Sequence, residues 1–158
     1  MKVILKHDIQ VEIQYGVAEH KEVFIVNKII WDFTLSLEDD SILDNFEIDY
    51  AYRIPEDLKK LIRENNAGIP EQNIFDSPKE GMVFAGLLSF NKNDEETVYM
   101  VLNNFIINGK LEMIPFGTDG FGNIFCLKCN KVVLWNHENE DIKIIADSLS
   151  NFLEMLHK

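Results

Sequence analysis

Cysteine is nearly absent from this chain. The two present, Cys126 and Cys129, are too few and too close in sequence to build a disulfide framework, which makes reduced thiols the simplest reading. Long apolar runs are missing as well. The opening Met1-Lys2-Val3-Ile4-Leu5-Lys6-His7-Asp8 breaks off too early for the hydrophobic region of a signal peptide, and Val83 to Leu88, the longest later run, falls far short of the roughly 20 residues that span a bilayer. A cytoplasmic location away from membranes is the expectation. Positive charge is also scarce: 15 Lys and Arg face 27 Asp and Glu, for a net charge of −12. Nucleic-acid affinity rests on cations displacing counterions from phosphates, so this balance argues against a nucleic-acid partner and suits a basic protein.

Catalytic signatures are lacking too. There is no Walker-type Gly-Lys-Ser/Thr, no G-x-S-x-G elbow, and His137-Glu138 has no second histidine four residues on. Gly117, Gly120 and Gly122 have the spacing G-x-x-G-x-G and lead into a strand. A dinucleotide fingerprint needs G-x-G-x-x-G between a strand and a helix, so these glycines read as positive-φ positions of a tight turn. Cys126 and Cys129, with His137 eight residues on, offer three of the four ligands of a zinc site. Residues three apart on a strand point to opposite faces, which favours structural cysteines. No catalytic residue, metal ligand or cofactor is expected; the alternative of an enzyme with an unrecognised site rests only on an unassigned pocket near Asp119 and His137.

What is present describes a globular domain. At 158 residues, 46% hydrophobic and 27% charged, the chain reads as one domain spanning 1–158. Residues 1–38 are β-rich: Ile9, Val11, Ile13 and Tyr15 alternate with polar residues, Val23 to Val26 is a short apolar run, and Trp31, Phe33, Leu35 and Leu37 alternate again. A meander over residues 2–37 is expected. A helix begins near Pro55, with Glu56 and Asp57 in its first turn, and stops at Asn65-Asn66-Ala67-Gly68, where Gly68 supplies a left-handed cap. Val83 to Phe90 reads as a buried strand. Asn93 with Glu96 then caps a helix carrying Val98, Val101, Leu102 and Phe105, which makes Asn108-Gly109 its cap rather than a hairpin turn. A hairpin from Ile124 to Trp135 turns at Asn130-Lys131, and a last helix follows Asp147. The expected class is α+β, with a single largely antiparallel sheet flanked by helices and extra N-terminal strands.

One segment stands out by charge. From 29 to 52 there is no basic residue, while Asp32, Glu38, Asp39, Asp40, Asp44, Glu47 and Asp49 contribute seven negative charges, interleaved with Trp31, Phe33, Phe46, Tyr50 and Tyr52. Two readings stand side by side. The segment is either a solvated edge with its rings turned inward, or a partner surface on which rings anchor and carboxylates hasten capture of a basic protein. On the second reading Trp31, Glu38, Asp39, Asp40, Asp44, Glu47 and Asp49 are the contact residues.

Five motifs in order complete the picture: Ile54-Pro55-Glu56-Asp57-Leu58 opening a helix that ends at Asn66-Ala67-Gly68; Gly86-Leu87-Leu88; Pro115-Phe116-Gly117-Thr118-Asp119-Gly120; Trp135-Asn136-His137-Glu138; and Ala146-Asp147-Ser148 with Phe152-Leu153. Together, over about residues 42–157, they resemble the SUKH superfamily, named after a yeast cell-wall-assembly regulator and containing many bacterial immunity proteins. The resemblance implies an α+β fold and a non-enzymatic role, either neutralising a toxin, often a nuclease, or regulating cell-wall or signalling proteins. It also implies that Pro55, Gly68, Pro115, Phe116, Gly117, Asp119, Gly120, Trp135 and Asp147 are fold determinants, with Pro and Gly setting turns, Trp135 packing and Asp147 capping a helix. The family commonly has Gly-Gly where this chain has Ala67-Gly68, and usually leads with a helix where residues 2–37 look strand-like.

Overall fold

The computed structural model describes residues 2–5, 9–12, 28–76 and 81–158. In chain order the elements are β1 (Lys2–Leu5), β2 (Ile9–Glu12), β3 (Trp31–Asp32), α1 (Ile42–Tyr50), α2 (Glu56–Asn65), β4 (Ile69–Pro70), β5 (Ile74–Asp76), β6 (Gly81–Val83) and β7 (Gly86–Leu87). There follow α3 (Val98–Val101), continued as a 3-10 turn over Leu102–Phe105, then β8 (Ile106–Ile107), β9 (Lys110–Leu111), β10 (Ile114–Thr118), β11 (Ile124–Lys128), β12 (Lys131–Trp135), β13 (Ile142–Ala146) and α4 (Leu149–Met155). The class is α+β and the named strands pair antiparallel, with one isolated parallel bridge between Ser89 and Thr97, but they do not make a single sheet. A five-stranded sheet ordered β13-β12-β11-β10-β7 forms the centre, and β1-β2, β3-β4, β5-β6 and β8-β9 are separate two-stranded ladders.

Phenylalanine builds the core. Phe84, Phe116, Phe125 and Phe152 lie within 6.4 Å of one another, centroid to centroid, in all six pairings. Phe75 adds edge contacts to Phe125 and Phe152 at 5.7 and 5.6 Å. Through Phe152, α4 is fastened to the sheet. Edge-to-face rings add about 0.5–1.5 kcal/mol per pair to their burial. A bulge in β10 feeds this cluster. Pro115 pairs with Cys126 and Gly117 with Phe125, so Phe116 is the extra residue, and both Phe116 and Phe125 are buried.

The N-terminal meander is only partly present. β1 and β2 pair as expected, with Val3 opposite Val11, whereas Ile13, Tyr15 and Val23 to Val26 lie outside the described residues. From Trp31 onward the chain is not the expected strand. Only Trp31–Asp32 pairs, with Ile69–Pro70. Phe33 then turns to φ 55, and an extended ladder cannot pass through a left-handed residue. The period-two pattern there belongs to a segment wrapped over the end of α2, where Leu35 N–H donates to the Asn66 carbonyl at 2.8 Å.

Other differences have local causes. The 83–90 run is split, because β6 pairs with β5 while β7 joins β10. The helix expected from Asn93 starts only after Thr97 and decays into the 3-10 turn. That decay frees Asn108-Gly109 to be a hairpin turn after all: φ is 52 and 76, and Ile107 pairs with Lys110. The later hairpin turns at Cys129-Asn130, one residue before the expected place, with φ 49 and 64. Pro115 and Gly117 sit inside β10 rather than in a turn. The last helix is capped by Ser148, whose Oγ accepts from Asn151 N–H at 3.0 Å, while Asp147 stands outside and faces Lys131 at 3.9 Å. Trp135 is buried edge-on against Phe105, as expected of a packing residue.

α2 begins after Pro55 as expected, but its end corrects the reading of Gly68. Ala67 takes the left-handed conformation, at φ 61. Gly68 is required for space: a Cβ there would lie 2.8 Å from the Asn65 carbonyl oxygen and 3.0 Å from the Trp31 ring. Ala67→Gly is therefore expected to stabilise the protein by about 0.5–1 kcal/mol, the left-handed penalty of alanine less the added freedom of glycine in the unfolded chain. Urea denaturation at equal m-values would show the gain.

Candidate protein-binding surface

The acidic segment folds around α1. Leu43 and Phe46 point inward, and Phe46 packs on Tyr50, Phe90 and Tyr99 with centroids 4.7, 5.5 and 6.2 Å away. The opposite side carries Asp44, Asn45, Ile48 and Asp49 in water, with Ile48 76% exposed. Glu38, Asp39 and Asp40 precede the helix and are also exposed. Asp39 shapes the turn into α1, because its Oδ1 accepts from Ser41 N–H and Ser41 Oγ, both at 2.7 Å. Those hydrogen bonds, the side-chain one first, hold its carboxyl below the usual range. Asp40, Asp44 and Asp49 make no ion pair among the described residues.

Two of the seven candidate contacts face inward. Trp31 is half-buried and meets Phe84 edge-on at 6.5 Å. Glu47 spans α1 and α2: its Oε1 pairs with Lys59 Nζ at 2.5 Å, and its Oε2 accepts from Ile54 N–H at 3.0 Å. The Lys59 hydrogen bond, ahead of the opposing burial, lowers the Glu47 pKa from its ordinary 4.5, and the same bond raises that of Lys59. A depressed carboxylate adds stability above its unfolded pKa and loses it as pH falls through the folded one. Glu47→Gln is accordingly expected to cost about 2 kcal/mol at neutral pH, between the values for exposed and buried pairs. The difference should shrink below the carboxylate range, as pH-dependent denaturation would show.

Behind α1 lies a polar network that no sequence motif announced. Asn66, Ser89 and Asn91 are each buried to 2% exposure or less. Asn66 Oδ1 accepts from Phe90 N–H at 2.9 Å, and Asn66 Nδ2 donates to Ser89 Oγ at 3.0 Å. Ser89 Oγ donates to the Asp94 carboxylate, and Asn91 Nδ2 donates to Asp94 Oδ2 and to the Ser36 carbonyl. Asn91 Oδ1 accepts from Glu38 N–H. One cluster thus sets the 35–38 segment, the end of α2 and the 91–97 loop relative to one another. The available signal was Ser89 and Asn91 flanking Phe90 in an otherwise apolar run. Nearby, Tyr99 donates to the Phe90 carbonyl at 3.1 Å, and burial, with Tyr50 and Asp49 adding to it, pushes its pKa up to about 12.

The glycine loop is braced from within. Asp119 Oδ1 accepts from the N–H groups of Phe121 and Asn123, at 2.7 and 3.1 Å, and its Oδ2 accepts from Asn123 Nδ2 at 2.7 Å. Asn123 Oδ1 in turn accepts from His137 N–H at 3.2 Å and lies 2.9 Å from His137 Nδ1. Gly120 and Gly122 take φ 81 and 94, as a turn requires. The Asp119 carboxylate is occupied by loop donors and is linked to the imidazole through the Asn123 amide, so the pair reads as a brace. Cys126 is buried, which pushes its thiol pKa up, and Cys129 is exposed in its turn. Among the described residues no group of three or more His, Cys, Asp or Glu could hold a metal ion, and no helix is long and apolar enough to cross a membrane.

Antiparallel strands together with four helices among the described residues define an α+β domain. Residues 38–155 match the SMI1 / KNR4 family (SUKH-1), and the chain belongs to that family. The match starts beside α1 and ends with α4, and it leaves β1, β2 and β3 outside. A comparison with curated proteins finds none that matches.

Proposed function

We propose that this chain is a non-enzymatic, cytoplasmic protein-binding domain of the bacterial immunity type, which neutralises a cognate toxin. Its partner is a basic protein, a nuclease domain being the class that best suits a net charge of −12. The observation that carries the reading is the outer face of α1. Asp44 and Asp49 stand in water on the helix that carries the exposed Ile48, and Asp40 stands in water just ahead of it, with no ion pair among the described residues. Carboxylates placed in this way steer a cationic partner, and the isoleucine offers a contact that desolvates on docking.

Reversing Asp40, Asp44 and Asp49 to lysine is expected to slow association with the cognate toxin about 10–100-fold at low salt. The dependence of the on-rate on ionic strength should flatten as well. Stopped-flow or surface-based kinetics on a basic toxin encoded beside this chain's gene would measure both. An unchanged on-rate would remove α1 from the interface. If no neighbouring toxin exists, regulation of an endogenous protein becomes the better reading.

A further inference from the structure

Several of the large apolar side chains that remain in water gather at one place. Phe33 is 81% exposed, Leu35 46% and Ile69 44%, and all three line one open groove of about 720 Å³. Ala85 and Leu87 add further apolar lining, and Gly120 and Gly122 bring the braced loop to its wall. Asp94, Glu95 and Glu96 are the acidic part of the lining; Asp94 is half-buried and taken up by Ser89 and Asn91, whereas Glu95 and Glu96 are exposed, with no ion pair among the described residues. Among the described residues no Lys, Arg or His lines the groove. It is a surface with grease and negative charge side by side.

Phe33 adds an independent observation. Its backbone sits at φ 55, a conformation that costs a residue with a side chain about 1–3 kcal/mol. A turn that merely had to close would do so with glycine or asparagine at no such cost. Here the strained position instead holds a phenylalanine ring out in solvent, at the rim of an apolar groove. The walls are also fixed in advance. Leu35 N–H is bonded to the Asn66 carbonyl, Asn66 to Ser89, and Ser89 to Asp94, so little ordering is left to be done on binding.

We infer that this groove receives an extended segment of a partner protein in which a large apolar or aromatic residue stands next to Lys or Arg. The apolar side chain lies against Phe33, Ile69 and Leu87, and the cation meets Glu95 and Glu96. An acidic segment would be repelled by those carboxylates, and a second copy of the chain would bring its own charge of −12. The groove is a site separate from the α1 face and stands whether or not that face meets a toxin.

The test uses the full chain and short fluorescent peptides read by anisotropy. One peptide alternates Arg with Trp and Leu, a second replaces Arg by Glu, and a third replaces Trp and Leu by Ser. Saturable binding of the first at least about ten-fold tighter than the other two is expected. Phe33→Ser with Ile69→Ser, and Glu95→Lys with Glu96→Lys, should each weaken it about ten-fold or more. All four side chains are exposed, and unchanged circular dichroism would confirm that the fold persists. Asp40→Lys with Asp44→Lys should leave peptide binding unaltered. Equal binding of the three peptides, or indifference to both groove variants, would overturn the inference. So would a photo-crosslinker placed at position 33 that, with the first peptide present, reacts only with residues 13–27 of its own chain or with a second copy.

Discussion

Gly117→Ala is expected to be among the most damaging single substitutions in this protein, costing about 3 kcal/mol or more. A Cβ at this position would lie 2.3 Å from Phe84 Cε2, 2.8 Å from Phe84 Cζ and 3.0 Å from the Gly86 carbonyl oxygen. The ring has nowhere to go. Phe84 is fully buried and is held by Phe116, Phe125, Phe152 and Trp31 at 5.1–6.5 Å. Against a typical domain stability of about 5–15 kcal/mol this is a large fraction. It corresponds to a fall in Tm of roughly 6–12 °C for a chain of this size. Phe84→Leu would be harmful alone, yet in combination with Gly117→Ala it should restore part of the loss. The coupling in a double-mutant cycle would identify the ring contact as the cause. Additive effects would mean that the glycine serves the backbone of β10 instead.

Asn66→Ala is the second large effect, at about 2–4 kcal/mol. The side chain supplies the acceptor for Phe90 N–H and a donor to Ser89 Oγ, and a buried polar group left without its partner costs about 1–3 kcal/mol. Asn66→Asp should also be harmful despite its identical shape. It loses the donor to Ser89 and places a second carboxylate near Asp94, which the same hydroxyl already serves. Hydrogen exchange should quicken at the amides of Phe90 and Asn91, the second of which donates to Ser89 Oγ. Leu35 N–H should change less, because it is bonded to the backbone carbonyl of Asn66. Uniform acceleration across all of these would mean global destabilisation rather than a local network.

The legible parts of the fold are those with punctuation. Pro55 and the Asn-Ala-Gly end mark α2, and the Ile124–Trp135 hairpin is bracketed by its own β-rich strands. α1 is present in the sequence but hidden. Ile42, Leu43, Phe46 and Tyr50 sit at helical spacing, yet the acids between them mask the period. β13 is faint because Ile142 and Ile144 are exposed at a sheet edge, where the alternation of a half-buried strand is weak. Asn108-Gly109 resembles a helix cap because helical spacing continues to Phe105, although the hydrogen bonding tightens to 3-10 form at Leu102. Ala67 and Phe33 are unreadable for another reason. Left-handed backbone at a non-glycine residue is imposed by tertiary contacts, which leave no mark on local composition.

Of the candidate surface, the sequence marks the stretch but not its orientation. Charge alone cannot separate Glu47, turned toward Lys59, from Asp44 on the outer face of the same helix. The groove is less visible still. It joins Phe33, Ile69 and Glu95, residues far apart in the chain that only the fold brings to one lining.

The extra residue at Phe116 also constrains how this domain can vary. Turns such as Asn108-Gly109 and Cys129-Asn130 lie outside the ladders and can lengthen or shorten without moving the strands beside them. β10 has no such freedom. Losing one residue between Ile114 and Thr118 would remove the bulge and reverse the facing of everything on one side of it. Phe116 and Gly117 could not both keep their present partners, and β7 would meet β10 out of register. Relatives that keep this sheet have to preserve the count of residues along β10 as well as the small residue at the position of Gly117.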